Sequence, residues 1–486
     1  MSDTPTLRIR TLTSAQITRD GSYVLYWMTA SRRLAWNYAL DRAIQIASAT
    51  ERPLLILEAV SASYRWASDR HHQAIIDGMV EHRADSDSLP LGYYPYVEPY
   101  PGAGEGLLEA LASRAVAVVT DDSPVFFTPE LIRAASRLSG VRVEAVDSCG
   151  LLPLRAPGRS FSAAYHFRRY LQKELPVHLA ETPSPAPFTD TRIPPFTVEL
   201  DAVESRWPSA SASGLLERGA LSTLAIDHTI SPSGWQGGTR PATAALDDFV
   251  ERGIGAYPDR NHPDLDVTSG LSPWLHYGHI SAHEVFEAVA SRERWNPLRL
   301  STIADGRRKG WWGVSEAAEA FLDQLVTWRE LGYGFAVHEP EYRRYEALPG
   351  WARGTLEDHV SDPRAYSYTL AQFTAAETHD ELWNAAQRQL VRDGRIHNYL
   401  RMLWGKKILE WTEHPREALD VMVELNNRYA LDGRDPNSYS GIFWVMGRFD
   451  RGWPERPIFG KVRSMTSKST RRKVTLDRYL DTWSDG

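Results

Sequence analysis

The chain has 486 residues, 42% of them hydrophobic and 24% charged, enough apolar material for two or three cored domains. Its single cysteine, Cys149, excludes a disulfide framework and any cysteine-only zinc or iron–sulfur centre. A net charge of −7 argues against indiscriminate nucleic-acid binding but leaves room for a local basic face.

The N-terminal stretch MSDTPTLRIRTLTSAQ lacks the apolar centre of a signal peptide. No apolar run approaches the length of a membrane span, so a cytoplasmic protein is expected. Strands are predicted at Tyr23–Met28, Leu54–Val60, Ala115–Thr120 and Val141–Val146, and helices at Arg33–Ala47, His71–His82 and Pro129–Leu138. Near-continuous apolar strands alternating with helices predict a doubly wound parallel sheet, which binds ligands at the carboxyl ends of its strands. Gly102, Gly104 and Gly106 do not complete a dinucleotide fingerprint, because Leu107 stands where the third glycine belongs.

From residue 176 to 208 proline, serine and threonine dominate, predicting an extended linker. An α/β domain over 1–175 and a mostly α-helical domain over 209–486 follow. In the latter, helices are predicted at Ala242–Gly253, Ala282–Arg292, Glu316–Leu331, Leu370–Thr374, Thr378–Asp393, Arg395–Trp411 and Pro415–Asn427. Thr378 and Glu381 form a candidate capping box, and Gly394 a C-terminal stop.

Several motifs carry candidate chemistry. Thr268, Ser269, Gly270, Leu271 and Ser272 open a helix with small residues and hydroxyls, which suits a phosphate but also serves as ordinary capping. His276, His279 and His283 could share a helix face as metal ligands, or be cofactor-adjacent or surface histidines. Trp404 and Trp411 lie seven apart on one helix, and Trp383 lies on the preceding helix. They read equally as a packing stripe or as an electron path. Arg401 and Asp432 are candidates for a buried ion pair, an unpaired buried arginine being very costly, while Asp432–Asn437 also reads as a plain turn. The segment Gly460–Lys473 holds six basic residues and no acid, and Arg307–Lys309 runs into Trp311 and Trp312. Seventeen tryptophans exceed what a core alone uses and favour stacking on flat aromatic ligands.

Five long stretches together resemble the class II cyclobutane pyrimidine dimer photolyases. They are WRELGYGF (Trp328–Phe335), AAETHDELWNAAQ (Ala375–Gln387), GRIHNYLRMLWGKKILEW (Gly394–Trp411), LNNRYALDGRDPNSYSGIFW (Leu425–Trp444) and RPIFGKVR (Arg456–Arg463). YVLYWMTASRRLAWNYAL (Tyr23–Leu40) is similar to the same family's start, so the resemblance covers nearly the whole chain. It implies an N-terminal α/β antenna domain, a helical FAD-binding domain, and light-driven splitting of dimers by electron transfer from photoexcited reduced FAD to a flipped-out lesion.

By resemblance, Tyr257 and Thr268–Ser272 contact the FAD diphosphate region, and Asn398, Arg401, Asp432 and Gly433 surround the flavin. Asn426 approaches the flavin N5 and Met402 sits close to both flavin and lesion. Trp404, Trp383 and Trp411, in that order outward, form the photoreduction wire. Trp328 and Trp444 stack on the dimer, while Arg260, Asn261, Trp453 and Arg463 fill the gap in the duplex or hold its backbone. Family members often carry a glutamate where this chain has Gln324; an amide still donates to a base carbonyl. A deazaflavin or folate antenna, UV-damaged DNA as partner and a monomeric state complete the expectation. Rival readings are a cryptochrome-like photoreceptor (against which stand Trp328, Trp444 and a chain ending at Gly486), a colourless helical DNA-binding protein, and a (6-4) photolyase using His338 or His397.

Overall fold

The first part of the chain forms a six-stranded sheet because its apolar residues come in short runs that bury both faces. In the computed structural model, which describes residues 3–17, 20–189, 191–217 and 219–484, the strands are β1 (Ile9–Thr11), β2 (Tyr23–Met28), β3 (Leu54–Val60), β4 (Leu91–Val97), β5 (Ala115–Asp121) and β6 (Arg142–Val146). Their order is β1-β6-β5-β2-β3-β4. Strands β2 to β6 pair in parallel, and β1 runs antiparallel along β6 with Ile9 opposite Val146.

Alternation along the strands divides the core in two. Tyr23, Leu25 and Trp27 join Leu55, Leu57, Leu107 and Leu111 on one face. Val24, Tyr26 and Met28 join Leu54, Ile56, Leu40 and Ile44 on the other. The covering helices are α1 (Tyr38–Thr50), α2 (Asp69–Ser86), α3 (Leu107–Ala112) and α4 (Thr128–Ala135). Helix α1 begins five residues later than predicted. Asn37 caps it by accepting from the Ala39 and Leu40 amides at 3.0 and 3.3 Å, and the buried Arg33 guanidinium is instead committed to the Gly278 carbonyl at 3.0 Å. Asp121, at the end of β5, gathers the Thr29 and Ala30 amides at 2.7 Å each, which ties down the loop leaving β2.

Beyond the sheet the chain is helical. Helix α5 (Ala164–His178) continues through Pro176 into the predicted linker, and at the linker's far end Leu200, Val203 and Trp207 pack into the first face of the sheet core. Asp190 lies outside the described residues. There follow α6 (Thr239–Asp248), α7 (Ala282–Arg292), α8 (Glu316–Leu322), α9 (Arg329–His338), α10 (Glu381–Asp393), α11 (Asn398–Trp411), α12 (Pro415–Tyr429) and α13 (Pro436–Val445). The predicted helix Glu316–Leu331 is interrupted: Asp323–Trp328 is a π-helical turn between α8 and α9. A second π turn, Phe249–Gly253, ends α6. The two compact units interleave along the sequence. One comprises Met1–Ala156, Glu174–Asp248 and Leu271–Arg292; the other comprises Pro157–Lys173, Phe249–Gly270 and Glu293–Gly486. Residues 209–248 and 271–292, predicted within the helical domain, thus cluster with the sheet.

A buried polar cluster closes the carboxyl end of β3. Glu58 is fully buried and accepts from Arg32 Nη1 at 2.9 Å, His82 Nδ1 at 2.7 Å and Tyr93 Oη at 2.7 Å. Burial pushes its carboxyl up, but His82, Arg32 and Tyr93 outweigh that and hold it down at about 2. A depressed carboxyl contributes stability above its unfolded value of 4.5 that is lost as pH falls toward about 2. Glu58→Gln is therefore expected to lower unfolding stability by about 3 kcal/mol near neutral pH, since it leaves Arg32 buried without its counter-charge. In urea titrations followed by circular dichroism, the gap between variant and parent should narrow on acidification; a constant gap would remove Glu58 as the titrating group.

Candidate functional site

Helix α10 starts at Asp380, whose carboxylate accepts from the Trp383 amide at 3.1 Å. This corrects the predicted Thr378–Glu381 box, because the Thr378 hydroxyl is engaged by Asn384 at 2.7 Å instead. Gly394 ends the helix in the left-handed region at φ 71°, as predicted, and the chain folds back into α11. That reversal brings the three tryptophans together. Trp383 is fully buried and its indole N–H donates to the Trp404 carbonyl at 3.0 Å. The Trp404 N–H donates to Gln387 Oε1 at 2.9 Å. The Trp383 and Trp411 rings meet edge to face, centroids 5.8 Å apart. Trp411 in turn borders Tyr368 at 5.4 Å and His379 at 5.2 Å. Trp383 thus touches both of the others, the Trp404 backbone through a hydrogen bond and the Trp411 ring edge to face.

The start of α11 carries the polar groups. Arg401 Nη2 meets Asp432 Oδ1 at 2.9 Å, with 25% and 19% of the two side chains exposed. The pair forms as predicted but is partly open to solvent rather than sealed. Asn398 is exposed and Met402 half-buried on the same turn and the next. His397 precedes them, and burial pushes its imidazole down to about 4, leaving it neutral near pH 7. Asn426, buried in α12, donates to Asn427 Oδ1 at 3.2 Å. Asn427 also accepts from the Arg434 amide at 2.9 Å and donates to Tyr439 Oη at 3.0 Å. The turn holding Asp432 is thereby fixed to α12. Asp435 caps α13 by accepting from the Asn437 amide at 2.8 Å.

Two further tryptophans meet where α9 and α13 cross. Gly332 lets the helices approach closely; a Cβ there would stand 2.6 Å from Asn437 Oδ1. Trp328, one turn before Gly332, and Trp444, two turns after Asn437, stack with centroids 4.6 Å apart and planes 13° from parallel. Gln324 lies on the π-helical turn that leads into Trp328, half-buried. That turn is anchored by Asp323, which accepts from Arg168 at 2.8 and 3.1 Å.

The remaining predicted residues sit elsewhere. Tyr257 is buried against Phe249 and Phe321, its hydroxyl pushed up to about 12 by burial. The Arg260 guanidinium lies 4.8 Å above its ring, with Asn261 exposed beside it. Arg260 and Asn261 thus belong with Tyr257. Thr268, Ser269 and Gly270 close the helical unit, whereas Leu271, buried, and Ser272 begin the next segment of the sheet unit. The helix at Ser272–Tyr277 has only six residues.

Trp453 and Arg463 form a surface pair, guanidinium 5.3 Å over the indole. Arg451 approaches the same ring at 5.6 Å, a partner with no distinguishing sequence signal. The basic residues of Gly460–Lys473 are exposed, and Arg471 pairs with Glu381 at 2.8 Å. Arg307 is paired with Asp305 at 2.6 Å, and Lys309 with Glu316. Trp311 and Trp312 are buried core residues. His276, His279 and His283 do not share a helix face: Gly278 ends one helix and α7 starts at Ala282. His279 Nδ1 accepts from the Gly238 amide at 3.0 Å, and burial pushes its ring down to about 3.

Gly433 has a packing reason for being glycine. A Cβ there would lie 2.6 Å from the Asn426 carbonyl oxygen and 2.8 Å from that of Ala430, both backbone atoms that cannot swing away. Gly433→Ala is expected to destabilise the protein by about 1–3 kcal/mol, read as a lowered urea midpoint. A midpoint equal to the parent's would show that the turn relaxes freely.

No family model matches the chain. The chain is 34% identical to a deoxyribodipyrimidine photo-lyase of Methanothermobacter thermautotrophicus, over 98% of this chain and 97% of the relative. It is 33% identical to one from Oryza sativa subsp. japonica (95% and 87%) and 31% identical to one from Arabidopsis thaliana (94% and 88%). Among solved structures, a bacterial class III photolyase from Agrobacterium tumefaciens superposes with a TM-score of 0.64 at 18% identity, covering 97% of this chain and 87% of that one; this likeness speaks to fold alone. Full-length identity above 30%, together with a parallel sheet followed by helices, leads to one conclusion: the chain belongs to the deoxyribodipyrimidine photo-lyase family.

Proposed function

We propose that this protein is a light-driven lyase that splits cyclobutane pyrimidine dimers in UV-damaged DNA, with reduced FAD held in its helical unit. The observation that carries this is the match along the whole chain to proteins of that name. The motif resemblance places it, more finely, with the class II enzymes. A photoreceptor without repair activity gains nothing from these relatives.

The residues present fit a flavin nucleotide. The Gln387 amide nitrogen is buried without a hydrogen-bond partner among the described residues. The Arg401 guanidinium offers positive charge at a partly open site. Within the helical unit, Tyr257 and Thr268–Gly270 would hold the diphosphate side, and Asn398, Arg401, Asp432 and Asn426 the ring. When bound, FAD supplies the electron chemistry that opens the cyclobutane ring.

The chain's own residues do the rest. Arg401 favours a negatively charged partner beside it. Trp328 and Trp444 offer flat faces to an extruded dimer, whose damaged bases cost less to unstack than intact ones. Gln324 donates to a base carbonyl, and Met402 spaces the two reactants. Arg463, Trp453 and the exposed basic run hold the DNA backbone, with affinity that falls as salt rises. Trp411, Trp383 and Trp404 pass electrons inward. A deazaflavin or folate in the sheet unit, a monomeric state and a cytoplasmic location with access to the chromosome complete the proposal.

The direct test is repair of UV-irradiated DNA under blue light, paired with the absorption spectrum of the purified protein. A well-folded, colourless protein that takes up no flavin would overturn the reading. Trp404→Phe is expected to abolish light-driven reduction of the oxidised flavin while sparing repair after chemical reduction; normal photoreduction would remove Trp404 from the wire. Trp444→Ala is expected to weaken binding of dimer-containing DNA by about 1–3 kcal/mol, the scale of one base–aromatic stack. Unchanged affinity in a titration would mean that the dimer docks elsewhere.

A further inference from the structure

The surface segment that carries Trp453 and Arg463 is a short hairpin. The Trp453 amide donates to the Lys461 carbonyl at 2.8 Å, and Arg456 and Gly460 exchange both backbone hydrogen bonds at 3.0 and 2.8 Å. Residues 451–457 are all exposed, whereas Phe459 and Val462 on the other side of the hairpin are buried and root it. The contacts that bear on the exposed arm are polar and local. The Lys461 amide donates to Thr355 Oγ1 at 3.0 Å, and the Ile458 amide to Asp362 Oδ2 at 2.7 Å. Gly460 presses so closely on this base that a Cβ would lie 2.9 Å from His359 Cδ2.

His359 stands at the centre of the attachment. Its Nδ1 lies 2.6 Å from Asp362 Oδ2, and its Nε2 lies 3.0 Å from Glu455 Oε1 on the hairpin. A neutral imidazole has one N–H, so it can satisfy one carboxylate and must turn a lone pair toward the other. Only the imidazolium donates to both. We propose that His359 is a positioning residue for lesion-DNA binding: as an imidazolium it clamps the hairpin by bridging Asp362 and Glu455, setting Trp453, Arg451 and Arg463 in register for the DNA. This rests on the reading that the hairpin meets DNA.

The charges around the ring agree with this. Hydrogen bonds to Glu455 and then Asp362 raise the imidazole above its ordinary value. Among the described residues Arg364 is a further charged group at this site; its Nη1 donates to the His359 carbonyl at 3.4 Å and to that of Asp362 at 2.6 Å. It lies toward the backbone side of Asp362 and does not replace the bridge to Glu455. A raised imidazole contributes the clamp fully below its unfolded value and loses it as pH rises through the folded one. The clamp therefore opens on the alkaline side.

The test combines two readouts on the full-length holoprotein from about pH 6 to about pH 9. One is hydrogen exchange of the Ile458 and Lys461 amides without DNA, corrected for intrinsic rates. The other is affinity for dimer-containing duplex. In the parent, both protection and affinity should fall on the alkaline limb, affinity by about fivefold. His359→Gln should show the low values throughout with no limb. Glu455→Gln, which removes one carboxylate but keeps an acceptor, should shift the limb to lower pH. A limb that persists in His359→Gln, or stays put in Glu455→Gln, would overturn the clamp. If protection falls on schedule while affinity does not, the clamp exists but the hairpin does not serve DNA, and the proposal fails on that count. Repair of dimers with DNA in saturating excess should be unchanged in His359→Gln, which separates a positioning loss from a failure of the repair reading itself.

Discussion

The three tryptophans and the Arg401–Asp432 pair take their places from how helix α11 is held, and that helix is gripped by groups that cannot slide. Trp383 donates to the Trp404 carbonyl, and Gln387 accepts from the Trp404 indole. Gly405 lets α12 and α13 approach so closely that a Cβ would stand 2.7 Å from Val445 Cγ2 and 3.1 Å from Met422 Sδ. Lys406 is buried and donates to the Val445 carbonyl; burial pushes its ammonium down to about 7. Arg401 reaches Asp432 from the opposite end. A helix with a free face could rotate by a fraction of a turn at small cost. Here a rotation would break hydrogen bonds to buried groups, each costly to leave unmade.

The same logic explains why Trp328 and Trp444 meet so closely. Gly332, the small residue at the crossing of α9 and α13, lets the two segments come close. The crossing is also pinned by polar contact, since Tyr333 Oη on α9 donates to Asp435 Oδ2 at 3.2 Å. The stacked Trp328–Trp444 pair thus sits beside a close glycine contact and a hydrogen bond between the same two segments.

Much of this was legible in the sequence where a local signal is strong. Tyr23–Met28 and Leu54–Val60 are uninterrupted apolar runs, and both form strands with the predicted ends. Gly394 ends α10 because only a residue without a side chain adopts its φ cheaply. Other features have no local signal. Leu91–Val97 contains Pro95, which reads as a break; as an edge strand, β4 can spare that amide. The three residues of β1 are too short to show a period. The π-helical turns look like ordinary helix, because the phase change leaves no compositional mark. The interleaving of the two units is a property of long-range contacts. In the site, tryptophan positions could be read directly, whereas the openness of the Arg401–Asp432 pair and the approach of Arg451 to Trp453 depend on tertiary placement.

The π-helical turn at Asp323–Trp328 has a consequence for how this segment can change. It accommodates one residue more than a regular helix would, so α8 and α9 are out of step by about 100°. Removing a single residue anywhere within it would restore a straight helix, but would swing Trp328 and all of α9 around the axis, pointing the indole away from Trp444 and Gly332 away from Asn437. Substitution can explore this stretch residue by residue; length cannot vary there. The wide turn is a counted spacer, and its count is what keeps two distant parts of the chain facing each other.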